Sequence, residues 1–337
     1  MIMSYNKKII RYFLIFLIII LAGIYIWQGI YLPKNKSSKK EIIFTIKKGE
    51  GGREIATNLE NVGLVKVGTL FRVYNIFKGT SGKLQAGEYL LSSSMAIPEI
   101  TYKFISGDVI KIAITFPEGF TIDEIEGRLF EKGFIEKSKF KNQKSKIFKQ
   151  EFKFLESVPD EANLEGFLFP DTYQFINKIS AEEIIKIMLE NFDNKMKKEM
   201  REEVDRQGKT IFETITMASM IEREVKTIED KKIVSGILWK RLENNIPLQV
   251  DATISYITGK KGIDISIEET KIDSPYNTYK YRGLPLGPIS NPGLESIIAA
   301  IYPESSDYWY YLSTPEGETI FSKTLEEHNI AKAKYLK

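Results

Sequence analysis

FTIKKGEGGREIATNLENVGLV (Phe44–Val65) returns at an offset of 70 residues as ITFPEGFTIDEIEGRLFEKGFI (Ile114–Ile135). Six of the 22 aligned positions are identical: Thr45/Thr115, Gly49/Gly119, Glu54/Glu124, Ile55/Ile125, Leu59/Leu129 and Gly63/Gly133. Each copy reads as a short strand, a glycine-containing turn and an amphipathic helix with Ile and Leu four apart. Each helix ends at a glycine suited to the left-handed position that follows a helix. After the first copy, Gly68–Phe77 predicts a second helix and Lys83–Leu91, with AGEYLL, a returning strand. Strand–helix–helix–strand over Glu41–Leu91 makes a small α+β module. Ile97–Gly107 then predicts a short helix and Val109–Phe116 a strand.

Length and composition set the outer bounds. At 337 residues the chain has room for about two domains. Hydrophobic residues are 43% and charged residues 28%, proportions of a folded chain and not of a disordered one. There is no cysteine and one histidine, His328. This excludes disulfide scaffolds, cysteine nucleophiles, iron–sulfur clusters and every metal site that needs two histidines. Acid–base chemistry therefore falls to Asp or Glu, with Lys or Tyr behind them. A net charge of +3 gives no reason to expect nucleic acid as a partner.

YFLIFLIIILAGIYIWQGIYL (Tyr12–Leu32) has Gln28 as its only strongly polar side chain. As a helix these residues rise about 31 Å, close to the roughly 30 Å hydrocarbon core of a bilayer. Tyr25, Trp27 and Tyr31 stand near the far end, where rings favour the interface. The run exceeds the apolar region of a signal peptide, and no small-x-small site follows it. The expectation is an uncleaved single-pass anchor over 12–32 with a cytoplasmic tail over 1–11. Lysines flank both ends, so charge does not orient the span; a short N-terminal tail is easily retained inside, which places the body outside the cytoplasm.

From these readings the fold class is α+β: a transmembrane helix, a small module over 41–110 and a larger mixed α/β domain over 111–337. The lysine-rich Lys137–Lys149 reads as a solvated helix face in preference to a polymer-binding patch.

Several motifs lead nowhere. Gly208-Lys209-Thr210 resembles the end of a phosphate-binding loop, but Glu203 stands where that loop needs glycine. No G-x-S-x-G elbow exists, and His328 has no nucleophile beside it in sequence and reads as structural.

Three segments carry unusual polar residues. LEGFLFPDTYQF (Leu164–Phe175) mixes aromatic rings with Glu165, Asp171 and Tyr173 around a Pro-Asp turn. Carboxylates beside rings suit sugar recognition; they equally suit a buried corner whose acids cap backbone amides. In TIFETITMASMIERE (Thr210–Glu224), Ile211, Ile215, Ala218 and Met220–Ile221 fit a buried helix leading to Glu222. Seven residues from Ile215 and four from Ala218, Glu222 lies on or beside the apolar stripe, while Glu224 points elsewhere. A carboxyl in partly apolar surroundings has a raised pKa, as a general acid needs. A helix-end Glu paired with Arg223 or a lysine is the alternative. A second helix, Asp230–Asn244, packs Ile233, Ile237 and Leu238. It leads to PLQVDATISY, where Gln249, Asp251 and Thr253 alternate like one side of an extended segment. GLPLGPISNPG reads as a rigid irregular loop before the helix GLESIIAAI. Asn277, Tyr279 and Arg282 precede it and can line a groove or serve as plain connectors.

Together LEGFLFPDTY (164–173), ASMIERE (218–224), KRLENNIPLQVDATISY (240–256), YNTYKYRGLPLGPISNPG (276–293) and YWYYLSTPEGETIFSKTLEEHN (308–329) resemble the YceG-like family, the endolytic murein transglycosylases. The order of segments matches over nearly the whole chain. Val225 and Val250 stand where similar sequences often carry Thr, and Ala252 where Pro is common. The resemblance implies that the 41–110 module is LysM-like, a wall-glycan-binding type of unit, and that 111–337 is catalytic. It implies Glu222, the first Glu of ASMIERE, as the catalytic acid. Glu165, Asp171, Tyr173, Gln249, Asp251, Asn277 and Tyr279, singled out above by residue type and segment, are the expected sugar contacts. The resemblance also implies peptidoglycan glycan strands as substrate, hence an extracytoplasmic body on the cell membrane, with peptidoglycan synthases of the elongation machinery as partners. No metal and no cofactor is expected.

A hydrolase generally needs two carboxylates; a lytic transglycosylase can use one, because the sugar's own C6 hydroxyl closes a 1,6-anhydro ring. The rivals are a non-catalytic peptidoglycan-binding adaptor and a true hydrolase pairing Glu222 with Asp251 or Glu165.

Overall fold

The computed structural model describes residues 2–136, 139–177, 179–260 and 265–336, with side chains from residue 10. It opens on α1 (Ile2–Tyr31), whose stretch Ile10–Tyr31 has mean hydropathy 2.4 and is long and apolar enough to cross a membrane. There follow β1 (Glu41–Ile46), α2 (Gly52–Asn61), α3 (Gly68–Phe77), β2 (Gly87–Ser92), α4 (Ile97–Ser106), β3 (Lys111–Thr115) and α5 (Ile122–Glu131). The rest of the chain forms β4 (Thr172–Ile176), α6 (Ala181–Lys195), α7 (Lys198–Arg206), α8 (Ile211–Glu224), α9 (Ile228–Glu243), α10 (Asp251–Thr258), α11 (Leu294–Ile301), β5 (Tyr310–Ser313), β6 (Thr319–Ser322) and α12 (Leu325–Tyr335). The fold is mixed α/β with small two-stranded sheets, β1–β2, β3–β4 and β5–β6. Two compact units result: Met1–Ile112 with Gln174–Lys178, and Ala113–Tyr173 with Ile179–Lys337.

In the first unit β1 and β2 pair antiparallel, with Phe44 opposite Tyr89 and Ile42 opposite Leu91. Alternation turns Phe44, Ile46, Tyr89 and Leu91 inward against Ile55 and Leu59 of α2, Phe71 of α3 and Ile100 of α4. Phe104 of α4 ties this core together: its ring stands 4.7 Å from Tyr89, 5.8 Å from Phe44 and 6.1 Å from Phe71. Removing such an aromatic generally costs about 3–5 kcal/mol. The repeat is visible in the backbone. Gly49 and Gly119 turn at φ +83° and +77°, and Gly63 and Gly133 follow their helices at +77° and +75°, a region in which a Cβ is costly.

In the second unit α5, α6, α8 and α12 each begin on a capping box: Thr121/Glu124, Ser180/Glu183, Thr210/Glu213 and Thr324/Glu327. Each box satisfies otherwise orphaned amides. Helix α8 is buried from Thr214 to Ile221 and packs with α9 and α11. Trp239 of α9 donates its indole N–H to Ala300 of α11 at 3.0 Å.

Two expectations need correction. Gln249, Asp251 and Thr253 do not alternate along an extended segment, because α10 starts at Asp251. Thr253 donates back to the Val250 carbonyl at 2.7 Å, and the Glu224 carboxylate accepts the Ala252 N–H at 3.3 Å, so the turn is hydrogen-bonded as a helix start. Thr253 is buried and Asp251 exposed. The lysine-rich stretch is not a helix face either: its described residues form turns and one 3-10 turn, Ser145–Ile147. Its lysines are drawn to acids instead, Lys141 to Asp123 at 2.9 Å and Lys149 to Asp160 at 2.6 Å. Lys137 and Ser138 lie outside the described residues.

Candidate active site

Glu222 ends the buried run of α8 one residue before the exposed Arg223, and its side chain is 9% exposed. Its Oε2 accepts the Gly293 N–H at 3.0 Å and the Ser296 hydroxyl at 2.6 Å, and pairs with the Lys231 ammonium at 3.5 Å. Gly293 is the N-cap of α11, so the carboxylate sits at a helix N-terminus, where free N–H groups and the helix dipole favour negative charge. Lys231, on α9, is 3% exposed, too buried to hold its charge without a partner. Among the described residues, Oε1 of Glu222 has no hydrogen-bond partner. One oxygen is anchored and the other is free.

The loop Pro117–Phe120 covers this end. Gly119 approaches so closely that a Cβ there would stand 3.5 Å from Cγ of Glu222, and Arg223 donates to its carbonyl at 3.1 Å. The exposed Glu118 lays its carboxyl over Gly293, where a Cβ would fall 2.0 Å from Oε1. Partial burial, and next the nearby Glu222 charge, raise the Glu118 pKa; Lys231 opposes them.

Asn291 fastens the pieces. Its side chain donates to the Phe120 carbonyl and to Glu165 Oε1, both at 2.9 Å, and accepts the Leu168 N–H at 2.9 Å. The Ser219 hydroxyl of α8 accepts the Ile289 N–H at 3.0 Å, holding the GLPLGPISNPG loop against α8.

The remaining sequence candidates divide. Glu165 is buried, and both its oxygens accept the Ile122 N–H, at 3.0 and 3.1 Å, capping α5. Tyr173 is buried, donating to the Phe169 carbonyl at 2.6 Å and accepting from Asn191 at 2.9 Å. Asn277 is 1% exposed and donates to the Thr270 and Ile272 carbonyls. All three are buried and hydrogen-bonded within the fold. Asp171 is half-buried and accepts Asn191 at 3.0 Å. Asp251 and Tyr279 are hydrogen-bonded to each other. Gln249 is exposed, with a left-handed φ of 54°.

Two other carboxyls have raised pKa values. Burial pushes Glu165 up to about 8, against the lowering pull of the Ile122 N–H. Burial and then the Asp251 charge push Glu224 up to about 7. The lone His328 is buried and stacked on Tyr310, and burial holds it down at about 4.

A raised carboxyl pKa means that the folded state holds the proton more tightly than the unfolded one. The stability it contributes is complete below the ordinary value of 4.5 and is lost as pH rises toward about 8. His328 acts with the opposite sign, but only below pH 6.5. Between pH 6.5 and 8, Glu165 should therefore lower the stability by on the order of 1–2 kcal/mol, with a smaller share from Glu224. Thermal unfolding at the two pH values measures this. Glu165→Gln, which mimics the protonated acid, should remove most of the decline; an unchanged decline in that variant would locate its source elsewhere.

Sequence reasoning missed Lys231, Gly293, Ser296 and Glu118. The NPGLES start of α11 is the one available signal for the middle two, since an exposed helix N-terminus attracts a carboxylate. Nothing in the sequence joins Lys231 to Glu222.

Comparison with known proteins gives a match to the YceG-like family over residues 44–334. An endolytic murein transglycosylase of Bacillus subtilis (strain 168) is 34% identical over 331 residues, covering 94% of this chain and 91% of that protein. An endolytic murein transglycosylase of Streptococcus pneumoniae (strain D39) is 32% identical; the match covers 97% of this chain but 65% of that longer protein. A crystal structure of a yceG-like protein from Listeria monocytogenes superposes with a TM-score of 0.60 at 34% identity, over 88% of this chain and 100% of that one.

Proposed function

The chain belongs to the YceG-like family, and from that premise we propose that it is a membrane-anchored endolytic lytic transglycosylase of nascent peptidoglycan strands. It is a lyase that breaks the bond between N-acetylmuramic acid and N-acetylglucosamine and leaves 1,6-anhydro-muramic ends, ending strand elongation. Residues 12–32 anchor it, with 1–11 inside the cell and the rest outside. The 41–110 module is LysM-like and holds glycan, and 111–337 is catalytic. Peptidoglycan synthases of the elongation machinery are its partners.

The observation that carries this reading is the split character of the Glu222 carboxyl, with Oε2 anchored by two hydrogen bonds and an ion pair and Oε1 open. Protonated, Glu222 gives its proton from Oε1 to the glycosidic oxygen as the C1–O bond breaks through an oxocarbenium-like state. The carboxylate left behind is held in place by Gly293, Ser296 and Lys231. It then takes the proton of the C6 hydroxyl as that oxygen bonds to C1, closing the anhydro ring. The nucleophile is part of the substrate, so proximity does the work of a second carboxylate. Glu118, exposed beside Gly293, faces the incoming strand.

The detergent-solubilised chain incubated with glycan strands should release 1,6-anhydro ends, read by mass spectrometry. Reducing ends would make it a hydrolase. Binding without cleavage would make it an adaptor of the synthesis machinery.

A further inference from the structure

The apolar span ends at Tyr31, and there it meets α3. The Tyr31 ring contacts Tyr74 edge-on at 6.4 Å, and Gly29 lies so near that a Cβ on it would stand 2.3 Å from Cδ1 of Leu70. Leu70 and Tyr74 are four residues apart, so they mark the stripe of α3 that faces α1. Val73 and Phe77 complete the i, i+3, i+4, i+7 set along that stripe. The core-facing side of α3 is different, carrying the buried Phe71 and Asn75.

Val73 is 49% exposed, Ile76 58% and Phe77 88%. Scattered exposed apolar residues are ordinary. Here three lie together on a ten-residue helix, and Phe77 is one turn from a ring that touches the end of the span. One turn rises about 5 Å, within the headgroup layer that flanks the hydrocarbon core.

The charge of this part of the chain points the same way. Residues 33–112 hold thirteen Lys or Arg against seven Asp or Glu, whereas the whole chain is only +3. Lys78 directly follows Phe77, and Lys34 and Lys36 directly follow the span. Apolar side chains ringed by basic ones are the composition of a surface that lies in an anionic interface, with rings in the acyl boundary and ammonium groups among phosphates.

We propose that the Val73–Ile76–Phe77 face of α3 inserts into the lipid surface beside the anchor. This rests on the reading of Ile10–Tyr31 as a membrane span. The unit would then be held by two contacts with the bilayer, one spanning and one lying in the interface, instead of swinging on a single helix.

The chain has no cysteine, so one introduced thiol can be labelled without background. Phe77→Cys, carrying an NBD fluorophore, is placed in full-length protein reconstituted in phosphatidylethanolamine–phosphatidylglycerol vesicles. Ile20→Cys in the span and Arg53→Cys on the exposed side of α2 serve as references. With spin-labelled lipid added, the label at 77 should be quenched at least twofold and blue-shifted, and the label at 53 should not. A label at 77 that stays as aqueous as that at 53, while the one at 20 is quenched, overturns the inference and leaves the anchor standing. A label at 77 shielded from iodide yet unquenched by lipid means that protein covers the face, which also overturns it. No quenching at 20 removes the span itself, and the inference falls with it.

Discussion

Glu222→Gln should cut release of anhydro-muropeptides by about 10²–10⁴-fold, the usual contribution of a general acid–base group, and should also lower the Tm, because the buried Lys231 ammonium loses its nearest counter-charge. Glutamine keeps the volume and can still accept at the anchored oxygen from Gly293 and Ser296, so activity measured well below the lowered Tm reports the lost proton transfer. The informative partner is Glu224→Gln. Glu224 has the pKa of about 7 that suits an acid in neutral solution, which is the specific observation in favour of assigning it the proton. Against that stands its employment: it caps α10 through the Ala252 N–H and is hydrogen-bonded to the half-buried Tyr311. Glu224→Gln should keep activity within a few-fold. If the pattern were reversed, with Glu224→Gln inactive and Glu222→Gln near normal, the proton would belong to Glu224.

The second large effect is expected from Lys231→Met. Methionine fills nearly the same volume without charge and leaves the Glu222 carboxylate in a nearly buried position with its counter-charge gone. Breaking a buried ion pair from one side costs about 3–5 kcal/mol, and the 9% exposure of Glu222 argues for the lower end. On the proposed mechanism activity should fall as well, because the carboxylate proposed to accept the C6 proton loses the cation that holds it. The double variant Glu222→Gln/Lys231→Met separates the causes. If the ion pair is responsible, most of the lost stability returns when the carboxylate is removed too. A Tm loss of equal size in both backgrounds would trace the effect to packing of the lysine stem.

Much of the architecture was legible locally. Periodicity and glycine placement marked the helices and turns of both repeat copies, since a 3.6-residue stripe and a left-handed glycine are properties of a few adjacent residues. The failures share one cause. PLQVDATISY has a two-residue polar alternation that a strand also shows, and the choice was made by the Glu224 carboxylate, 28 residues away from Ala252. Lys137–Lys149 carries helix-like charge spacing, but acids such as Asp123 and Asp160 take up its lysines. Tyr173 and Asn277 are polar by type, and only the packed chain shows them buried and hydrogen-bonded within the fold.

The apolar span, the helices of the two repeat copies with the glycines that end them, and the family to which the chain belongs could all be read from residue order, because each depends on neighbours or on long motifs in sequence. The working state of the acids could not. Gly293 and Ser296 stand 71 and 74 residues from Glu222. Whether a carboxyl is capped, paired or left with an open oxygen depends on which donors the packed chain brings within about 3 Å and on how much water it removes. Hydrogen bonding and desolvation act through space, so the tertiary structure alone decided that Glu165 became a buried cap, Glu224 a half-buried cap of α10 and Glu222 a carboxyl with one oxygen held and one free.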